Sequence, residues 1–276
     1  IIDKLFGVGG VVAYKNLKRS RKKYRTTVIS LVVSVSIFIA LSSLLNYGFG
    51  VAGQYYKDIN YNMQVSIYPK ATQDDTISTN EIKEAYDDVL DLDTIAKYSL
   101  HRSTLLEIDM KTYMTDEGFF SYYGEEKDKY DDDTLSYLQI ISLGDTEYKR
   151  FIESIGGNIS DYQNGGILID DFSYYTNDHY EHFNVYSIND GDTISGQFEN
   201  GNPYQIKVIM RTDVRPMGLE NNYSSSGYLV ISDTMMNALD YDYETLYINS
   251  SDTTKLESDI KDYLEDTDYE YYLYNV

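Results

Sequence analysis

The sequence has no cysteine and no tryptophan, only three prolines and only three histidines. Without thiols there is no disulfide framework and no thiolate chemistry, so any domain outside the cell must stand on core packing alone. No Gly-Lys dipeptide occurs, which excludes a Walker A loop; Gly7-Val8-Gly9-Gly10 follows no predicted strand and is no phosphate cradle. No G-x-S-x-G nucleophile elbow is present. His179 and His182 flank Glu181, but D-H-Y-E-H-F is not the H-E-x-x-H of zincins, and two surface histidines in a Tyr-rich segment account for them. Asp131-Asp132-Asp133 lacks the alternate acids, central Gly and terminal Glu of an EF-hand loop and reads as a solvated loop. Among 45 acids some pair must fall at glycosidase distance, yet nothing selects one. No catalytic, cofactor-binding or metal-binding residue is assigned, and no cofactor is expected.

Charge is missing altogether from residues 26–49, TTVISLVVSVSIFIALSSLLNYGF. As a helix this run is about 36 Å long, enough to cross a bilayer core with some tilt. Its Ser and Thr side chains can bond back to the helix's own carbonyls. Residues 1–25 carry eight basic side chains against Asp3 alone, which leaves 15 basic and 44 acidic residues for the rest of the chain. Lys and Arg beside a span stay on the cytoplasmic side, so the expectation is a cytoplasmic N-terminus, a transmembrane helix over 26–49 and an extracellular domain over 50–276, all at the cell membrane. Tyr24 marks the inner boundary and Tyr47, Tyr55 and Tyr56 the outer one. A cleaved signal peptide would have a shorter apolar core and small residues at a cleavage site, which Asn46 to Phe49 do not supply. Residues 8–25 read as a basic helix against the inner membrane surface or as an ordinary positive-inside tail. The strongly acidic outer part excludes nucleic acid and anionic lipid as its partners. The chain starts Ile1-Ile2-Asp3 rather than with Met and reads as a piece of a longer one.

Beyond the span the pattern is mixed. Residues 61–68 alternate as a half-buried strand. Ser78 and Glu81 have capping-box spacing, and Ile82, Ala85, Tyr86, Val89 and Leu90 then share a helix face. Residues 95–110 read as one strand or two, and 115–133 as an exposed loop or hairpin tip. Residues 135–143 form a strand before a helix capped by Asp145, with Tyr148, Phe151, Ile152 and Ile155 on one face and Gly156-Gly157 as its stop. Residues 166–170 read as a buried strand and 172–180 as helical. Turns at 189–192 and 200–203 bracket paired strands. A strand over 227–232, a helix capped by Asp233, a strand over 244–249, a helix capped by Ser251 or Asp252 with Leu256, Ile260, Tyr263 and Leu264 on one face, and a strand over 268–274 complete the chain. The fold class is α+β: two β-α-β units forming a ferredoxin-like half, with a mostly β subdomain inserted over about 135–230.

The segment AYKNLKRSRKKYRTTVISLVVSVSIFIA, and then SLGDTEYKRFIESIGG, GGILIDD, GDTISG, QIKVIM, SSGYLVISD and TLYINSSDTTKLESDIKDYL in that order, resemble the span and extracytoplasmic core domain of FtsX/MacB-like ABC transporter permeases of Gram-positive type. The resemblance implies a porter-like ferredoxin half, further spans after Val276, and a separate ABC ATPase subunit that hydrolyses ATP. It also implies a second permease copy or half, and an extracellular peptide or lipoprotein ligand. In that setting the chain is a non-catalytic subunit that couples ATP hydrolysis inside to export or mechanical work outside. The alternative is a single-span extracellular binding or receptor protein with no ATPase. Tyr241, Tyr243, Tyr247, Tyr269, Tyr271, Tyr272 and Tyr274, among acids, suit either strand packing or stacking and cation–π contact with a cationic or amphipathic peptide.

Overall fold

The computed structural model describes residues 2–57, 59–69, 79–124, 126–129, 135–176, 179–219, 227–239, 241, 243–265 and 267–276. The chain divides into two units, residues 1–57 and 58–276. Ser78 of the expected capping box and the Asp131-Asp132-Asp133 run lie outside the described residues.

The first unit is helical. Helix α1 (Ile2–Arg19) is kinked at Gly7, and α2 (Arg21–Lys57) follows it. Backbone bonds Ser20 N→Asn16 O (3.0 Å) and Tyr24 N→Ser20 O (3.1 Å) carry the helical ladder through the junction. The apolar stretch of α2 runs over Tyr24–Gly48, and none of it is buried within the protein. By length and composition it is the one described helix able to cross a membrane.

The second unit opens with β1 (Met63–Pro69), α3 (Thr79–Leu90) and β2 (Ile95–Asp109). It closes with β10 (Tyr243–Ser250), α8 (Thr253–Glu265) and β11 (Tyr269–Asn275). Between them lie α4 (Met110–Tyr113), α5 (Asp116–Tyr123), β3 (Leu135–Leu143), α6 (Asp145–Ser154), β4 (Gly166–Ile169), β5 (Asp171–Thr176), β6 (His179–Asn184), β7 (Thr193–Phe198), β8 (Pro203–Arg211), β9 (Tyr228–Ile231) and α7 (Asp233–Met236).

The outer four strands lie in the order β11-β1-β10-β2, every neighbour antiparallel, which is the ferredoxin-like arrangement. The expected helix faces are the buried ones. Ala85, Tyr86 and Val89 of α3 and Leu256, Ile260 and Leu264 of α8 pack on Met63, Val65, Ile67, Leu246 and Ile248. Where β1 and β10 diverge, the Tyr86 hydroxyl bridges them, accepting from Ile67 N (2.9 Å) and donating to Glu244 O (2.8 Å).

Strand β2 also belongs to a second structure. From it the sheet continues β3-β9-β4-β8-β7, with β3–β9 and β4–β8 parallel. Strand β7 then returns to β2 at Leu106↔Phe198 and Glu107↔Gln197, closing six strands into a barrel. Alternate residues fill its interior, including Leu106, Ile108, Leu138, Ile140, Ile194, Ile206, Val208, Leu229 and Ile231. The opposite faces of β3, β4 and β9 present Ile141, Leu143, Ile167, Ile169 and Val230 to Tyr148, Phe151 and Ile152 of α6. Closure depends on Gly196, where a Cβ would stand 2.3 Å from the Glu107 carbonyl oxygen and 2.9 Å from Leu106 Cγ.

Several local expectations are corrected. Residues 95–109 are one strand of 15 residues. Part of the expected 115–133 loop is helix α5, because the Thr115 hydroxyl caps it by accepting from Gly118 N (2.9 Å) and Phe119 is buried against the barrel core. The expected helix over 172–180 is replaced by strands β5 and β6, which pair antiparallel, and Phe172 and Phe183 meet across them with ring centroids 5.1 Å apart. Helix α6 has Gly144 at its N-cap with no side-chain cap, and Asp145 sits in its first turn. Helix α7 is capped by Ser232, not Asp233, and α8 by Asp252, whose carboxylate accepts from Lys255 N (3.0 Å).

Candidate functional site

Strand β2 has two pairing edges. Strand β3 occupies one over residues 101–109. The other is shared: β10 takes residues 95–103 and β7 takes 106 and 107, leaving Thr104 and Leu105 in the interval. A groove of about 700 Å³ opens there. Its apolar lining comes from Leu105, Tyr137, Phe198, Tyr204, Leu239 and Tyr243. Phe198 and Tyr204, at the two ends of the β7–β8 turn, pack with centroids 5.1 Å apart. Burial raises the Tyr204 phenol above its ordinary pKa. Leu105, Tyr137 and Tyr243 stay exposed at 39%, 51% and 57%, so the groove already offers apolar surface to solvent.

A charged cluster lies beside the groove's wall in the chain. Arg102 donates from Nε to Glu244 Oε1 at 2.8 Å and from a terminal nitrogen to Asn237 Oδ1 at 3.2 Å. Its guanidinium also stands 3.9 Å from Asp233 and 5.4 Å from the centre of the Tyr241 ring. Ser142 donates to the other Asp233 oxygen at 2.6 Å. Burial raises both carboxyls above their ordinary range. Arg102 opposes the shift at Glu244, while Ser142 and Arg102 oppose it at Asp233.

The segment where the chain enters the second unit is held by three elements. Asn60 accepts from Gly218 N (2.9 Å) and donates to Pro216 O (3.3 Å), and Asn249 donates to Asn60 O (2.7 Å). Asn62 accepts from Ser250 N and donates to Ser250 O, each at 2.8 Å. Val276 N donates to Asn62 O at 3.1 Å, so the two ends of the unit adjoin. Gly218 has φ +87°, and a Cβ there would meet Tyr247 at 2.4 Å and His101 at 2.9 Å. His101 bonds Met217 O through Nε2 (2.8 Å) and packs on Tyr247 with centroids 4.6 Å apart. Burial lowers its pKa to about 4, with the bond to Met217 opposing.

The seven C-terminal tyrosines do not form one surface. Tyr241 lies by Arg102, Tyr243 lines the groove, and Tyr247 packs between His101 and Tyr61. The other four belong to β11. His182 is exposed and 3.3 Å from Asp171, and the side chain of His179 lies outside the described residues. Among the described residues no group of three His, Asp or Glu could hold a metal ion. Sequence reading missed Arg102 and the Phe198–Tyr204 pair. Neither carried a sequence signal, since β2 mixes polar and apolar residues along its length and Arg102 is one of several charged residues in it.

Among the described residues there is one candidate membrane span, followed by an α+β unit whose nine-stranded sheet is part ferredoxin-like and part barrel. No family model matches it. No curated protein matches it. Among solved structures, the periplasmic region of MacB from Actinobacillus actinomycetemcomitans is similar at TM-score 0.37 and 9% identity, over 80% of this chain and 91% of that one. A likeness that remote says nothing about what this chain does.

Proposed function

We propose that this chain is the part of an ABC transporter permease that carries a transmembrane helix and an extracellular domain. A separate ATPase subunit supplies hydrolysis inside the cell, and the domain transmits the resulting motion to an extracellular peptide or lipoprotein. The N-terminus is cytoplasmic, and the subunit itself is non-catalytic. A second permease copy or half completes the transporter.

The observation that carries this reading is the charge-free run of 26–49 with its basic flank, followed directly by an α+β unit. The unit's first and last strands, β1 and β11, pair side by side over seven residues, an arrangement that suits a domain carried on membrane helices. The ferredoxin-like half fits a transmitting role, because both of its helices pack on four strands that include the unit's first and last, β1 and β11.

The test is purification of the full-length protein from its native membrane in mild detergent, with identification of the chains that accompany it. The expected result is a stoichiometric ATPase bearing a Walker A motif. Its absence, under conditions that preserve other membrane complexes, would replace this reading with the single-span binding protein.

A further inference from the structure

Strand β11 ends the nine-stranded sheet. It pairs with β1 along its whole length, from Pro69↔Tyr269 to Met63↔Asn275, and no described strand pairs with its other side. The Val276 N–Asn62 O bond turns the backbone groups of residues 270, 272, 274 and 276 toward β1, so Tyr271, Leu273 and Asn275 present theirs outward, along about 14 Å at roughly 3.4 Å per residue. Barrel closure removes the corresponding edge at the far end of the sheet, where β7 meets β2.

Proteins usually blunt an open edge with Lys, Pro, a bulge or a covering element. The sequence YEYYLYN has no Lys, Arg or Pro, and its register with β1 runs without a shift. Tyr269 and Leu273 turn to the core under α3 and α8, while Tyr271, Tyr272 and Tyr274 remain 37%, 53% and 40% exposed.

Charge selects the occupant. Residues 251–276 hold eight acids and two lysines. Both lysines are engaged on α8, Lys255 with Asp259 at 2.9 Å and Lys261 with Glu257 at 2.5 Å. Two copies of the chain paired edge to edge would set one strongly acidic segment against another. The acidic segment, with Glu270 on β11 itself, draws a strand bearing Lys or Arg by opposite charge, and the exposed tyrosine rings offer its cations cation–π contact.

We propose that the free edge of β11 docks an extended, cationic polypeptide segment, which adds to the sheet as a further antiparallel or parallel strand. Backbone hydrogen bonds give the affinity, and the side chains on alternate positions give the selectivity. The inference is independent of the ATPase. Peptide binding without a co-purifying ATPase sinks only the transporter reading, and an ATPase without peptide binding sinks only this one.

The experiment uses the full chain in nanodiscs of zwitterionic lipid. It is titrated with a fluorescent seven-residue peptide alternating lysine and valine, and with the same peptide N-methylated at alternate amides. Saturable binding is expected, at least tenfold weaker for the N-methylated peptide and for the Tyr272→Lys protein, and retained by Tyr272→Phe. Hydrogen exchange at the outward amides of Tyr271, Leu273 and Asn275 should slow on binding. Tyr274→Lys serves as a second variant should Tyr272→Lys fail to fold. Equal binding of the two peptides would mean charge attraction alone and overturn the proposal. So would protection confined to the groove between β7 and β10, or a self-dimer whose β11 is protected without peptide.

Discussion

Arg102 and Glu244 face each other directly across the β2–β10 pair, with a 2.8 Å bond between Nε and Oε1 and only 10% and 6% of their side chains exposed. Removing one partner leaves the other charged and buried. Glu244→Ala is expected to cost about 3–5 kcal/mol of stability, and the double replacement Arg102→Met with Glu244→Leu considerably less. Denaturant unfolding of the three proteins measures this. A Glu244→Ala cost equal to that of an exposed ion pair would contradict it.

His101 has a folded-state pKa of about 4 against an ordinary value near 6.5. Its stabilising contribution is complete above pH 6.5 and is lost as the pH falls toward 4, where the unfolded chain takes up a proton that the fold refuses. The loss should total about 3 kcal/mol. Glu244 and Asp233, whose pKa values are raised, act in the opposite sense, their contributions growing as the pH falls. Comparison with His101→Gln, which can still donate to Met217 O but does not titrate, isolates the histidine. Parallel stability–pH curves for the two proteins would refute the assignment.

Gly196 permits β7 to approach β2. Gly196→Ala is expected to destabilise the protein by about 1–3 kcal/mol and to loosen the barrel seam. Amide exchange at Leu106, Glu107, Gln197 and Phe198 should accelerate, while that of the β1–β11 pair stays unchanged.

The proposed orientation of the span rests on its basic flank. Protease added to intact cells should digest residues 58–276 of the native chain. Replacement of Lys18, Arg19, Arg21, Lys22, Lys23 and Arg25 with serine should produce a protected fraction. Full digestion of both would show that these charges do not orient it.

Much of the local structure was legible in the chain. The faces of α3, α6 and α8 follow a 3.6-residue period, and each is buried as its apolar residues require. The turns at Gly191 and Gly201 carry positive φ, as the flanking Asn and Asp signal. The pairing of β5 with β6 was not legible, because Tyr and Phe suit strands and helix faces alike until a partner such as Phe183 is known. The groove was not legible either. It exists because β10 and β7 share one edge of β2, and that sharing joins residues far apart along the chain, Arg102 with Glu244, 142 positions away, among them.

The sequence by itself determined the candidate span, its charge asymmetry and the α+β class, since each rests on periodicity and composition within a few tens of residues. Only the tertiary structure decided that the inserted strands close into a barrel on β2 and that Val276 returns beside Asn62. It also decided that β11 is left as the open edge. These are facts of long-range pairing, and strand pairing is specified by the packing of two faces at once, which no single stretch of chain contains.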